Sequence, residues 1–440
     1  MENKEGYKKT ELGWIPVEWE VKQLGEFVEN LKGGAPLRPS DFTDNGFKVL
    51  PKKGVVAGGI LNIDKNYQTF CSIEYASDNS NNIVDKEYLI TTLRDLVPTG
   101  PSIGYIVKII SDEKFILAQG VYGLKTTENI NNDYLIQFSN TKQYRKIMQT
   151  IMVGSTQVHI RNTDFLNVKL PLPPLPEQQK IASILTTVDD KISSIEAQIQ
   201  QTEQLKKGLM AKLLTEGIGH TEFKDTEIGR IPKGWEVVTL QTLLDRKSIL
   251  HHSDGNHGSL YPRSNEFITH GIPYIGANSI QNGRINLTKA KYLSEAMAAT
   301  FKKGVAYNGD VLFASNATVG PVALLYLPYN YSILSTTLTL YRCDINQINN
   351  YYLFFYLSSA LFTEQYLPLI KQTTRNQLPI TAQRTLKIIL PPFSEQQQIA
   401  SILSSVDDKI DILQSKKSAY TTLKKGLMAK LLTGQMRVKI

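Results

Sequence analysis

Apolar residues recur at alternating intervals of four and three along two separate stretches of the chain. In the first they fall at Ile181, Leu185, Val188, Ile192, Ile195 and Ile199; in the second at Ile399, Leu403, Val406, Ile410 and Leu413. That spacing is the seam of a heptad pattern and predicts two long amphipathic helices. The seam turns polar at Thr202 and Lys417, and its phase shifts before Leu205, Leu209 and Leu213, as a stammer would produce. Pro176 suits a first helical turn, and Ser394 with Gln397 suits an N-cap with a capping box. Gly217 and Gly434 suit helix ends. A helix of roughly 38 residues would be on the order of 57 Å long. Two of them suggest an intramolecular coiled coil acting as a rod; the plainer alternative is a pair of amphipathic core helices.

The two stretches are copies of one another. Glu177 to Ile192 and Glu395 to Ile410 differ only at Lys180/Gln398, Thr186/Ser404 and Thr187/Ser405. An identical LKKGLMAKLLT follows at 205–215 and 423–433, at the same offset of 218 residues. A second repeat leads each half: TELGWIPVEWEVKQL from Thr10 to Leu24, and TEIGRIPKGWEVVTL from Thr226 to Leu240. The unit is therefore leading segment, variable domain and long helix, used twice. Trp19 and Trp235 are expected to anchor the leading segments by packing.

Between the repeats the pattern changes to short β-branched runs separated by Gly and Asn. FKVLPKKGVV, GILNID, RDLVPTG and SIGYIVKII in the first region, and GIPYIGANSI and GRINL in the second, read as short strands. NGDVLFASNATVGPVALL matches RDLVPTGPSIGYIV in placement, pairing Asp310 with Asp95 and Gly320 with Gly104. Each region then offers one helical stretch and an exit strand, NVKLPLPPL or LKIILPPF. The expected fold is α/β (α+β): a first domain over 1–176, a long helix over 177–217, a second domain over 218–393, a second helix over 394–434 and a tail over 435–440. Similar ends around dissimilar domains is the pattern of a protein that recognises two different things at a fixed separation.

Composition narrows the class. The formal charge is +8 and the pI about 9.1, which favours a polyanionic partner. Cys71 and Cys343 are the only cysteines, one in each half, which fits a reducing cytoplasm. The N-terminus lacks the apolar run of a signal peptide, and YYLFFYLSSALF at 351–362 is too short for a bilayer and reads as a buried helix. The nearest approach to an amino-methyltransferase loop is Leu390-Pro391-Pro392-Phe393, whose leucine cannot hydrogen-bond an exocyclic amine. No Gly-x-Gly-x-x-Gly, Walker A, H-E-x-x-H or paired C-x-x-C motif occurs. Catalytic, cofactor and metal residues are therefore expected to be none. His251, His252, Asp254 and His257 are close in sequence, but their spacing matches no standard metal site and they read as a solvated or DNA-facing loop.

These features together resemble the specificity subunit of a Type I restriction–modification system. The residues carrying the resemblance are the PPLPEQQ and PPFSEQQ helix openings, the ASIL(T/S)(T/S)VDDKI repeats, the LKKGLMAKLLT ends and the G-x-I-P leading segments, so it covers essentially the whole chain. The resemblance implies two target-recognition domains, each reading one half of a split double-stranded DNA sequence, and two antiparallel helices that set the gap. It implies two docked methyltransferase subunits and further restriction subunits, with S-adenosylmethionine, ATP and Mg bound by those partners. The apolar residues of the repeated ends are the candidates for partner docking: Leu205, Leu209, Met210 and Leu213, and Leu423, Leu427, Met428 and Leu431. A recognition subunit of another class of methylating nuclease, and a non-catalytic coiled-coil scaffold that binds proteins, are the alternatives.

Base edges are read by Arg at guanine and by Asn or Gln at adenine, while Lys, Ser and Thr mostly serve phosphates. Two matched loops are rich in these types: one with Thr156, Gln157, His159 and Arg161, the other with Thr373, Thr374, Arg375, Asn376 and Gln377. Arg38, Lys52 and Lys53 are earlier candidates in the first domain, and Arg263, Asn278, Gln281 and Arg284 in the second. The turns carrying Thr99 and Ser102, and Ser315 and Asn316, complete the set.

Overall fold

The structure is a computed structural model that describes residues 5–63, 68–371 and 376–440. It divides into two compact units: Met1–Ala197 with Ser415–Ile440, and Gln198–Gln414. The long helices run Leu175–Leu213 and Phe393–Leu431, 39 residues each, so each unit holds part of both. Both begin earlier than the sequence suggests. The amides of Glu177 and Gln178 bond to the Pro174 carbonyl, and those of Glu395 and Gln396 to the Pro392 carbonyl. A proline carbonyl thus opens each helix, and Ser394 lies inside the second rather than capping it. Gly217 and Gly434 follow the helix ends in left-handed conformation, with φ of 65° and 70°.

The two units share a sheet order. In the first, strands Ile106–Lys108, Leu89–Thr92, Val121–Thr126 and Val28–Gly33 form an antiparallel sheet in that order. The second unit orders Thr318–Leu324, Val311–Asn316, Leu338–Cys343 and Ile249–Asp254 in the same way. Each unit adds a second sheet with one parallel pair: Phe115–Leu117 on Phe47–Leu50, and Ile272–Ile275 on Ser332–Leu334. GILNID is not a strand where it is described: Ile60 makes a lone bridge to Lys108 and is exposed. Leading and exit strands pair in both units, Glu20–Gln23 with Lys169–Leu172 and Glu236–Thr239 with Lys387–Leu390. Helices Asn132–Ser139 and Asn350–Leu357 are buried along most of their length, so the aromatic run is core from Tyr352 to Leu357, with Tyr351 left exposed. Among the described residues, no helix is long and apolar enough to cross a membrane.

The heptad seam serves two purposes. Ile181, Ala182 and Leu185 join Trp19, Tyr134 and Phe165 in the first domain's core, and Ile399, Ala400 and Leu403 join Trp235 and Tyr352 in the second. Each helix therefore starts as a wall of its own domain. Val188, Ile195, Val406, Ile410 and Leu413 are buried outside those cores. Ion pairs run alongside them: in the first unit Asp189 meets Lys424 at 2.6 Å and Glu196 meets Lys417 at 2.9 Å. In the second, Lys206 meets Asp407 at 2.6 Å. A rising number on one helix meets a falling number on the other, so the helices are antiparallel.

A buried carboxylate fastens the leading segment to each helix. The Trp19 indole donates to Glu177 Oε2 at 2.9 Å, and the Trp235 indole donates to Glu395 Oε2 at 2.8 Å. Both tryptophans and Glu177 are fully buried. The second ligand differs between units. Arg437 grips Glu177 through Nε at 2.7 Å and a terminal nitrogen at 3.0 Å, and reaches Glu18 at 2.9 Å. Glu395 instead meets His220 Nε2 at 2.8 Å and accepts the Ile218 amide at 3.0 Å. The hydrogen bonds that Arg437 donates to Glu177 raise the Arg437 pKa above its ordinary value. Residues 435–440 are thus no loose tail, since Arg437 completes the first unit's clasp.

Arg437→Ala should destabilise the first unit by about 1–3 kcal/mol, because it strips a buried carboxylate of a charged donor. The lower end is expected, since the guanidinium is 38% exposed and water offsets part of the loss. Urea unfolding followed by tryptophan fluorescence reads this out, as Trp19 touches the same carboxylate. A variant within about 0.5 kcal/mol of the parent would remove the clasp from the account.

Candidate nucleic-acid interface

In each domain two segments about 60 residues apart in sequence meet at one short ladder. In the first, Arg94–Asp95 pairs antiparallel with Val158–His159, setting Arg94 opposite His159. The Ile160 amide bonds to the Leu93 carbonyl at 2.9 Å. In the second, Asn316 bridges Gln377 antiparallel, and the Leu378 amide bonds to the Ser315 carbonyl at 2.8 Å. Asn376 and Ala317 add a backbone bond of 2.9 Å and a side-chain bond of 3.0 Å. Ala317 sits at φ 64°, a left-handed position uncommon for alanine, which turns the chain between the two strands. The register equates Arg94 with Asn316 and His159 with Gln377.

The first loop alternates along its ladder. Gln157, His159 and Arg161 are exposed, while Val158 and Ile160 are buried in the core. Three polar side chains of QVHIR therefore share one outer face. Thr156 is exposed just before them, and Thr99 is exposed in the facing turn. Ser102 is committed inward: its amide and hydroxyl bond to Asp95 at 3.1 and 2.8 Å. Lys52 lies beside the same ladder, because a side chain at Gly120 would touch both Arg94 and the Lys52 stem. Lys53 is exposed on the same short turn. Arg38 and Arg263 occupy matching turns after the first strand of each sheet. Both are exposed, and their amides are held by Asp41 at 2.6 Å and Glu266 at 2.5 Å.

Several expectations need correction. Ser315 is buried, and its hydroxyl accepts from Thr339 at 2.9 Å, so only its neighbour Asn316 faces outward. Arg284 is drawn to Asp411 of the second long helix, away from the ladder. Gln281 spends its carbonyl on the Asn286 amide at 2.7 Å. Asn278, by contrast, lines a cavity of about 380 Å³ together with Asn316, Thr318, Tyr274, Lys289 and Lys291. Asp310 does not correspond to Asp95. It precedes its strand and holds Arg342 at 2.7 and 2.9 Å, whereas Asp95 lies on the ladder opposite Val158, where the second domain has Ala317. Gly104 and Gly320 do correspond, facing Met148 and Tyr366. Thr373, Thr374 and Arg375 lie outside the described residues; Asn376 and Gln377 are exposed. Arg94 and the two cavity lysines were not singled out from the sequence. The dipeptide Arg-Asp opening RDLVPTG is the available signal, but its pattern marks only a strand.

The histidine run does not converge. His251 and His252 are adjacent on strand Ile249–Asp254 and face opposite sides. His252 is buried, stacks on Tyr341 at 4.5 Å between ring centres, and is pushed down to about 4 by burial, so it stays neutral. His257 donates Nε2 to the Leu334 carbonyl at 2.7 Å. Among the described residues no group of three or more His, Cys, Asp and Glu is arranged to hold a metal.

The apolar helix ends divide sharply. Leu213 belongs to the second domain's core, with Leu209 and Met210 packed against it. Met428 and Leu431 belong to the first domain's core, with Leu427 packed against it. Of the eight candidates, only Leu205 and Leu423 are exposed, at 55% and 49%. The other six are held wholly or partly by this chain itself, so the partner-docking reading narrows to these two.

A family model described as the Type I restriction modification DNA specificity domain matches residues 16–204 and again 232–420. The chain is 30% identical to the putative Type I restriction enzyme MjaX specificity subunit of Methanocaldococcus jannaschii, over 99% of this chain and 97% of that one. It is 28% identical to the MjaVIII specificity subunit of the same organism, over 97% and 94%. In fold it is similar to the crystal structure of a Type I restriction–modification S subunit from M. genitalium, with a TM-score of 0.58 at 16% identity, covering 96% of both chains.

Leu213→Ala should cost about 2–5 kcal/mol, the range for emptying a packed site. Leu205→Ala should change stability by no more than about 0.5 kcal/mol, as at other exposed positions. Urea denaturation of both variants is the check. Equal effects would mean that burial does not separate the two leucines.

Proposed function

The chain belongs to the Type I restriction–modification DNA specificity family, and from that membership we propose that it reads a bipartite, asymmetric DNA sequence with a fixed spacer. Each unit reads one half. The chain directs two methyltransferase subunits and further restriction subunits to that site. It carries no catalysis itself: S-adenosylmethionine, ATP and Mg are held by those partners, and the complex works in the cytoplasm.

The observation that carries this reading is the matched ladder. The two units share one strand order and place a short polar ladder at the same point of it. The residues on it differ in the way that base readers must differ. Nearby Lys52 in the first unit, and Lys289 and Lys291 in the second, supply charge for phosphates. The net charge of +8 supports a polyanionic target. The two 39-residue helices share their opening and closing blocks of sequence, which suits a shared spacer element.

Exchanging residues 241–391 for the equivalent region of another family member should change one half of the methylated motif and leave the other half intact. Methylation mapping by long-read sequencing, in cells carrying the chain and its methyltransferase, is the test. A change in both halves, or in neither, would contradict independent reading by the two domains.

A further inference from the structure

The ladder positions carry more than a general polar surface. Arg94 and His159 are directly opposed in an antiparallel pair, and so are Asn316 and Gln377. Opposed residues project to the same face, with their Cβ atoms roughly 5 Å apart. Arg94, His159 and Gln377 are exposed, and Asn316 is half-buried at the mouth of the cavity it shares with Asn278. Among the described residues, none of the four side chains is engaged in a hydrogen bond or ion pair, while the backbones beneath them are fixed by the bonds to Leu93 and Ser315. Polar groups held free on a rigid ladder are preorganised for an external partner.

Their chemistry differs by domain. A guanidinium offers a donor fork that matches guanine O6 and N7, whereas a carboxamide offers the donor and acceptor that match adenine N6 and N7. We propose that this opposed pair is where each domain reads a defining base pair. The first domain reads a G·C pair through Arg94, with His159 beside it. The second reads an A·T pair through Asn316 and Gln377. The assignment rests on the bipartite reading above and specifies its letters.

The test maps the methylated motif for Arg94→Ala and for the double variant Asn316→Ala/Gln377→Ala, each in the complete complex with its methyltransferase. Arg94→Ala should accept any base pair at one G·C position of one half, with the other half unchanged. The double variant should do the same at one A·T position of the other half. If a variant complex does not methylate, competition binding to duplexes decides. Its preference for the original pair over a substituted one should fall about 10- to 100-fold. A motif kept letter for letter, or a retained preference, would overturn the assignment. So would relaxation at a pair of the other type. Uniform weakening on all duplexes with a shallower salt slope would also overturn it, since that marks a phosphate contact. A parent motif without a spacer would instead overturn the bipartite reading, so the two failures are distinguishable.

Discussion

The structure depends on a buried carboxylate in the first turn of each long helix. An isolated carboxylate in a protein interior costs several kcal/mol unless donors surround it. Glu177 and Glu395 meet that demand with an indole N–H from the leading segment. The next residue extends the clasp. Gln178 accepts the Asn131 amide at 2.8 Å and donates to the Pro173 carbonyl at 2.9 Å; Gln396 does the same with Asn349 at 3.0 Å and Pro391 at 2.9 Å. Asn131 and Asn349 in turn cap the buried helices of their domains. Two adjacent side chains thus bind leading segment, exit strand, core helix and long helix together, which gives a physical reason for Glu-Gln to be identical in both copies.

A frame fixed this way frees the rest of the domain to differ. Among the described residues, the loops that meet at the ladder share no side-chain bond with the clasp and are held by backbone bonds, so their exposed side chains can change without disturbing the core. Even the clasp tolerates variation at its open side, with Arg437 in one unit and His220 with a backbone amide in the other. The ladder and the clasp are in this way built from different residues of one repeated unit.

Much of this was legible because repeats and periodicity are direct imprints of packing. The heptad spacing located both long helices, and the paired tryptophans were placed correctly as anchors. Ser394 misled because the competing acceptor was a backbone carbonyl, which sequence does not display. The LKKGLMAKLLT leucines looked like a partner-docking stripe because periodicity says that a face is covered, not by what. Here the chain's own domains cover most of it. Ser315 and Arg284 are the right residue types for DNA, but strand alternation turned one inward and an aspartate distant in sequence took the other. Arg94 was missed because its significance lies in standing opposite His159, a pairing that no local pattern encodes.

The central claim of the proposed function is that the helix pair sets the spacer between two half-sites. A heptad inserted after Ile199 keeps the apolar seam in phase and lengthens the helix by about 10.5 Å. At about 3.4 Å per base pair, the spacer could grow by at most about three base pairs. The partner helix keeps its length, and the distal half-site would also rotate by roughly 100° at about 10.5 base pairs per turn. Methylation mapping of the insertion variant should therefore show both half-sites kept and a spacer longer by about one or two base pairs. An active variant with both half-sites and the original spacer would contradict the claim.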